Sequence, residues 1–324
     1  MTVPRPHLGE VATLTQRLAV LLSAGVAPAS AWRYVAGSAP GPGATAPRSD
    51  RRPPSASGSA GVVAAAVARS EGDPAATTHG ILAAAAGLPR LEAEGWRGLA
   101  ACWQVATIAG APLAAALRDY ARCLRSLADA QRDAAVALAA PAATARLVMA
   151  LPPVGVLFGA ALGFDTLRTL FATALGLTCL VIGAGLMWLA ARWNRRLVRA
   201  AQPESAVPGL DCELLAIAVS GGGSLAAARA TVDTTLELCG LAVRADDVDT
   251  VLELSRAAGV PAAELLRSEA EELRRTARAS AQERAAALSV KLMLPLGLCV
   301  LPAFMVLGVI PLLIAVVSST VSTW

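Results

Sequence analysis

Three windows of this chain, 147–163, 170–191 and 292–317, contain no Asp, Glu, Lys, Arg or His. A helix needs roughly 20 apolar residues to cross a hydrocarbon core, and these windows approach or exceed that length. The first is the shortest and holds Pro152 and Pro153. Only the turn Phe164-Asp-Thr-Leu-Arg-Thr169 separates it from the second, so the two read as a transmembrane hairpin. The third stands alone near the end of the chain.

The rest of the composition agrees with a membrane protein built of helices. Hydrophobic residues make up 55% and charged residues 16%, against about 25% charged in a soluble domain. Ala and Leu dominate while aromatics are 4%, which favours helices over sheets and predicts an all-α fold. The six cysteines show no C-x-x-C spacing and read as small, reduced hydrophobes. A net charge of +4 gives no reason to expect nucleic acid as a partner.

Positive charge beside the windows sets an orientation. Arg192, Arg195, Arg196 and Arg199 follow the second window, Arg146 precedes the first, and Arg284 and Lys291 precede the third. The hairpin turn holds only Arg168 and the tail Ser318-Ser-Thr-Val-Ser-Thr-Trp324 holds none. The regions before 147 and between 192 and 291 are therefore expected in the cytoplasm, with the C-terminus outside. The first residues lack the apolar core of a secretory signal.

The polar regions carry an internal repeat. Ala109-Gly-Ala-Pro-Leu113 and Ala258-Gly-Val-Pro-Ala262 lie 149 residues apart, each upstream of an apolar window. Glycine just past a helix end takes the left-handed conformation, and proline suits the first turn of the next helix. Gly25/Pro28, Gly110/Pro112 and Gly259/Pro261 are thus read as tight helix corners, and Gly223/Ser224 as a fourth using a Ser cap. An upstream half-repeat pairs Gly25 with Gly221. After Pro112, Leu113, Leu117, Tyr120, Leu124 and Leu127 form one apolar helical stripe, the usual signature of bundle packing.

These signals divide the chain as follows. A tail, 1–13, precedes a first cytoplasmic helical domain, 14–146, interrupted by a Pro/Gly/Ser-rich insertion at 37–61 that is expected to be disordered. The hairpin, 147–191, leads through a cytoplasmic linker, 192–207, to a second helical domain, 208–291. The last span, 292–317, ends in an extracytoplasmic tail, 318–324.

Residues with catalytic spacing are scarce. His7 and His79 have no partner pattern, and Ser220-Gly-Gly-Gly-Ser224 lacks the lysine and preceding strand of a phosphate loop. Asp246, Asp247, Asp249 and Glu253 could hold a divalent cation, but residues of this kind more often cap and charge a helix start. No catalytic residue, cofactor or metal site is expected.

The corners, the long Arg-rich helix after the second corner, and the segment Lys291-Leu-Met-Leu-Pro-Leu-Gly-Leu-Cys-Val-Leu-Pro-Ala-Phe-Met-Val-Leu-Gly-Val-Ile-Pro311 resemble the type II secretion system F family. The resemblance is strongest to the tight-adherence (Tad, Flp pilus) branch, with a TadB-type part over about 14–199 and a TadC-type part over about 208–320 joined in one chain. It implies two F-type helical domains in a non-enzymatic platform. Such a platform would engage a cytoplasmic secretion ATPase, pilin or pseudopilin subunits, other platform subunits or further copies of itself, and membrane lipid. Two other classes fit the residues: a small-solute permease or pore whose polar path is backbone at the prolines, and a membrane-anchored adaptor unrelated to pili.

Overall fold

The computed structural model describes residues 8–37, 59–68, 73–161, 174–200, 207–242, 245–291, 293–311 and 313. Every regular element among them is helical. The tail 318–324 and the hairpin turn lie outside the described residues.

Among the described residues eleven helices follow in order: α1 Leu8–Ser23, α2 Pro28–Val35, α3 Ser59–Val67, α4 Pro74–Ala85, α5 Arg90–Ala109, α6 Leu113–Ala161, α7 Ala174–Ala200, α8 Leu210–Ser220, α9 Leu225–Cys239, α10 Ala245–Ala258 and α11 Ala262–Lys291. A twelfth, α12, alternates α and π geometry through Met293–Pro295, Leu296–Val300, Leu301–Phe304 and Met305–Val309. Pro295 and Pro302 have no N–H for an i−4 carbonyl, and wide π turns are one way a helix absorbs such a gap.

Two boundaries differ from the sequence reading. The helix expected to begin after residue 13 starts at Leu8, because Leu8, Val11 and Ala12 supply its first buried turn. The expected insertion 37–61 is also too long. Ser59–Gly61 opens α3, where Ala60 is buried and the Ser59 hydroxyl donates to the Glu92 carboxylate on α5. Residues 38–58 lie outside the described residues.

The chain separates into two compact units, Met1–Arg132 with Glu204–Ala279, and Asp133–Pro203 with Ser280–Trp324. The first unit brings together the segments expected to form two independent bundles. A single hydrophobic core runs through both, from Leu8, Trp32, Trp96 and Tyr120 to Leu214, Leu236 and Leu266. Helix α5 lies at its centre and packs on α4 and α1 from its own repeat and on α8 and α9 from the other. The physical reason is in α8, whose residues Leu210–Ala218 are buried all round. A helix buried on every face needs neighbours on every face, and its own half does not supply them.

The second unit is a different kind of assembly. Helix α7 packs on α12 through Gly183 against Leu307, and through Ala190 in a small cluster with Cys299 and Val300. Ascending numbers on one helix meet descending numbers on the other, so the pair is antiparallel. Two stretches, Gly176–Leu197 and Ala262–Val309, are long and apolar enough to cross a membrane. In their most apolar windows only 17% and 31% of residues are buried, which is unlike the core helix of a soluble protein. Arg192, Arg195 and Arg196, expected in a linker, belong to the helical continuation of α7 as far as Ala200.

Candidate functional site

The corners are the features the sequence singled out, and the structure gives each a definite geometry. Gly25, Gly110 and Gly259 have φ of 84°, 67° and 67°, in the left-handed region that glycine enters without steric cost. Pro28 is the first residue of α2. Pro112 and Pro261 instead stand one residue ahead of their helices, where their carbonyls accept from Ala115 and Ala116 and from Glu264 and Leu265. In the fourth corner Ser224 caps α9 by accepting from the Ala227 amide at 3.2 Å. There the left-handed residue is Gly222, with φ 86°, and not Gly223. The half-repeat is accordingly shifted by one: Gly25 matches Gly222, and Ala24 stands in the place of Gly221.

That shift matters because at Gly221 the backbones of the two repeats meet directly. A Cβ on Gly221 would lie 2.0 Å from the carbonyl oxygen of Ala109, the last residue of α5. Gly209 makes a second backbone-to-backbone approach, with φ 69° and a hypothetical Cβ 2.9 Å from both Cα and O of Ala270 on α11. At Gly221 and Gly209 there is thus no room for a methyl group, whereas the left-handed corner glycines Gly25, Gly110, Gly222 and Gly259 stand in open space.

The two long helices are tied into the first unit by buried polar contacts. On α6, the Tyr120 hydroxyl donates to the Gly95 carbonyl at 2.7 Å, and a Cβ on Gly98 would lie 2.3 Å from that hydroxyl. On α11, Arg274 donates to Glu213 of α8 at 3.2 Å, with both side chains largely withdrawn from solvent. Arg274 also reaches the Cys123 thiol on α6. Burial pushes that thiol up to about 11, an effect the guanidinium only partly offsets. Burial raises the Cys239 thiol to about 11 as well, and it moves Cys102 and Tyr120 in the same direction. None of the six cysteines forms a disulfide.

Other candidates resolve into structural roles. Asp249 accepts from Arg229 across α9 and α10, and that pairing holds its carboxyl below the usual range. Asp246 and Asp247 fall in the first turn of α10. Among the described residues no group of three or more His, Cys, Asp and Glu could hold a metal ion. A shallow cleft of about 220 Å³ is lined by Arg90, Glu94, Gly209, Asp211, Gly240 and Leu241, and Arg90 and Glu94 pair with each other at 2.9 Å.

In the second unit the charged end of α7 is ordered by an aromatic. The Arg192 guanidinium sits 5.6 Å from the centre of the Trp188 ring. Because α7 and α12 are antiparallel, the arginines that end α7 and Lys291, which precedes α12, lie at the same end of the pair. Arg146 lies on α6, but its side chain is outside the described residues. Sequence reasoning missed the packing glycines Gly98, Gly183, Gly209 and Gly221, since nothing local separates a glycine that packs from one that turns. Compared with known proteins, no family model, curated protein or solved structure matches this chain.

Proposed function

We propose that this chain is a multi-pass membrane platform protein of a type II secretion or Tad (Flp) pilus machine, with no catalytic chemistry of its own. In this reading the first unit lies in the cytoplasm, engages a secretion ATPase, and couples its motion to extraction of pilin subunits from the membrane. One observation carries the reading. Helices α6 and α11 each leave a left-handed glycine corner in the first unit, at Gly110 and Gly259, and each runs without a break into the chain of the second. A continuous helix transmits displacement along its axis better than a jointed one, because every turn is hydrogen-bonded to the next.

The antiparallel α7–α12 pair supports the orientation, since it places Arg192, Arg195, Arg196 and Lys291 at one end. The three-span layout requires 147–163 to cross as well. A cysteine placed at Ser322 in a cysteine-free background should label with an impermeant thiol reagent in intact cells, and one at Ser205 should not. The platform role is tested by deleting the gene and scoring pilus assembly, then restoring it with the full chain. Normal pili in the deletion strain would sink the reading.

The permease alternative has its own supporting observation in the two π turns that flank Pro302 within α12, where backbone departs from regular helix geometry. Purified protein in liposomes separates the readings. Solute or ion flux from the protein alone favours the pore; a tight membrane favours the platform.

A further inference from the structure

The last two turns of α7 carry charges that the platform reading uses for orientation alone. Arg192, Arg195 and Arg196 are all exposed, and Arg199 follows in the same helix. Their spacing of i, i+3, i+4 and i+7 puts these positions on one helical face. The opposite face is the packed one, with Gly183, Ala190 and Asn194 buried. Further up the basic face stand Val181 and Trp188, exposed at 66% and 65%. The stripe therefore changes from aliphatic to aromatic to cationic within one continuous surface. No acidic residue occurs between Asp165 and Glu204 to neutralise it. The Trp188 ring lies under the Arg192 guanidinium, which holds that charge at the boundary between the apolar and basic parts. Lys291, also exposed, lies at the same end of the α7–α12 pair.

We infer that this arginine face of α7 is a binding site for the phosphate headgroups of anionic phospholipids in the cytoplasmic leaflet. Guanidinium groups match phosphate oxygens in paired, planar hydrogen bonds, and they hold them better when the charge is not already spent on a carboxylate. Aliphatic residues above the site accommodate the acyl chains of the same lipid, Trp188 sits at the headgroup level, and the arginines reach the phosphate. A soluble phosphate would use only the last of these features. The inference rests on the membrane reading of α7.

The test uses the full chain in nanodiscs of phosphatidylcholine, with trace spin-labelled phosphatidylglycerol or phosphatidylcholine as the probe. The expected result is a motionally restricted lipid signal with a preference for phosphatidylglycerol that weakens with salt. Arg192→Gln, Arg195→Gln and Arg196→Gln should each reduce that preference, by about fivefold per arginine at most. Arg33→Gln, at an exposed position of α2, should leave it unchanged. The Arg→Lys triple variant keeps the charge but not the paired hydrogen bonds, so it should keep part of the preference and more of it than the Gln variants, which separates lost binding from lost folding. Restricted lipid without headgroup preference would overturn the inference while leaving α7 in the membrane. No restricted lipid of either kind would overturn the membrane reading itself. Loss of preference on adding inorganic phosphate, but not chloride at equal ionic strength, would reassign the site to free phosphate. Binding of a labelled RNA in neutral nanodiscs, abolished by the triple Gln variant, would reassign it to nucleic acid.

Discussion

Gly221 lies so close to Ala109 that a Cβ on it would stand 2.0 Å from the Ala109 carbonyl oxygen and 3.1 Å from its Cβ. The contact joins the fourth corner to the end of α5, and so joins one repeat to the other. Its counterpart in the first repeat, Ala24, already carries a methyl group and is exposed. The two repeats are therefore not interchangeable: only the second can dock its first corner on the other's second corner.

Gly221→Ala should accordingly be among the most damaging small substitutions in the chain. The obstacle is backbone, which no rotamer change relieves, so a loss of about 3 kcal/mol is expected, the upper part of the range for an overpacked core. Gly223→Ala, two residues on, meets nothing within 4 Å and has no positive φ, so it should be nearly neutral. Thermal unfolding of the two variants in detergent checks this. Equal melting temperatures would mean that the corners do not pack as described.

The α7–α12 contact gives the opposite case, a clash that a second substitution can relieve. A Cβ on Gly183 would lie 2.2 Å from Leu307 Cγ. Without a hydrophobic drive between helices in lipid, close approach at small residues is a main source of association. Gly183→Ala should loosen the pair, and Leu307→Ala should restore it, a coupling that a double-mutant cycle reads directly. Additive effects of the two substitutions would refute the contact.

The insertion is expected to divide in two. Removing 38–58 should cost well under ~1 kcal/mol, as for other segments rich in Pro, Gly and Ser that bury little. Extending the deletion through Gly61 removes Ser59 and the buried Ala60, and with them a hydrogen bond to buried Glu92. That longer deletion should cost a further 1–3 kcal/mol, roughly the penalty for disturbing a buried polar group. Protease resistance of the two deletions, measured side by side, distinguishes them, and identical stability would show that the first turn of α3 contributes nothing.

Which parts of this architecture were legible in the sequence follows from the range of the interactions. The corners at Gly25, Gly110 and Gly259 are local, governed by one φ angle each, and the repeat made them visible. The stripe Leu117, Tyr120 and Leu124 is also local, repeating on one helical face, and all three side chains are fully buried. Similarly, Glu271 and Arg275 pair at 2.7 Å as their i,i+4 spacing suggests. Glu213 shows the other situation. An acidic residue in the first turn of a helix reads as a solvated, dipole-favourable charge, yet it is buried against Arg274, 61 residues away. No periodicity signals a partner at that distance. The same holds for the shared core: the amino acids of α8 show that it is apolar, but not that α5 of the other repeat covers it.

Alkaline pH should weaken the first unit through its buried thiols. Burial moves the Cys123 thiol from 9.0 to about 11. Below 9.0 it is protonated in both folded and unfolded chains and contributes no pH dependence. Between 9.0 and about 11 the unfolded chain releases a proton that the folded chain retains, so stability falls as pH rises. The loss approaches about 2 kcal/mol for this one group at the upper end of the window. Cys123→Ala should flatten the slope of stability against pH over that window, whatever it does to stability at neutral pH. An unchanged slope would show that Cys123 is not shielded from water.

The last prediction concerns Gly259, where α10 hands over to α11. Its φ of 67° is unfavourable for any side chain with a Cβ, and more so for a β-branched one, although the space around it is open. The cost of Gly259→Val is therefore strain of roughly 1–2 kcal/mol in the backbone, not a collision. The chain can relieve it by changing the angle at which α11 leaves the corner. Arg274 rides on α11 and must still meet Glu213, so a changed angle stresses that buried pair. If α11 carries motion between an ATPase and the membrane, Gly259→Val should leave the protein inserted while abolishing pilus assembly. Gly259→Asn is the control, because asparagine tolerates the left-handed region far better than valine and should keep assembly. Pili from both variants would show that the corner bears no force, and loss of both would show that the site needs glycine for a reason other than φ.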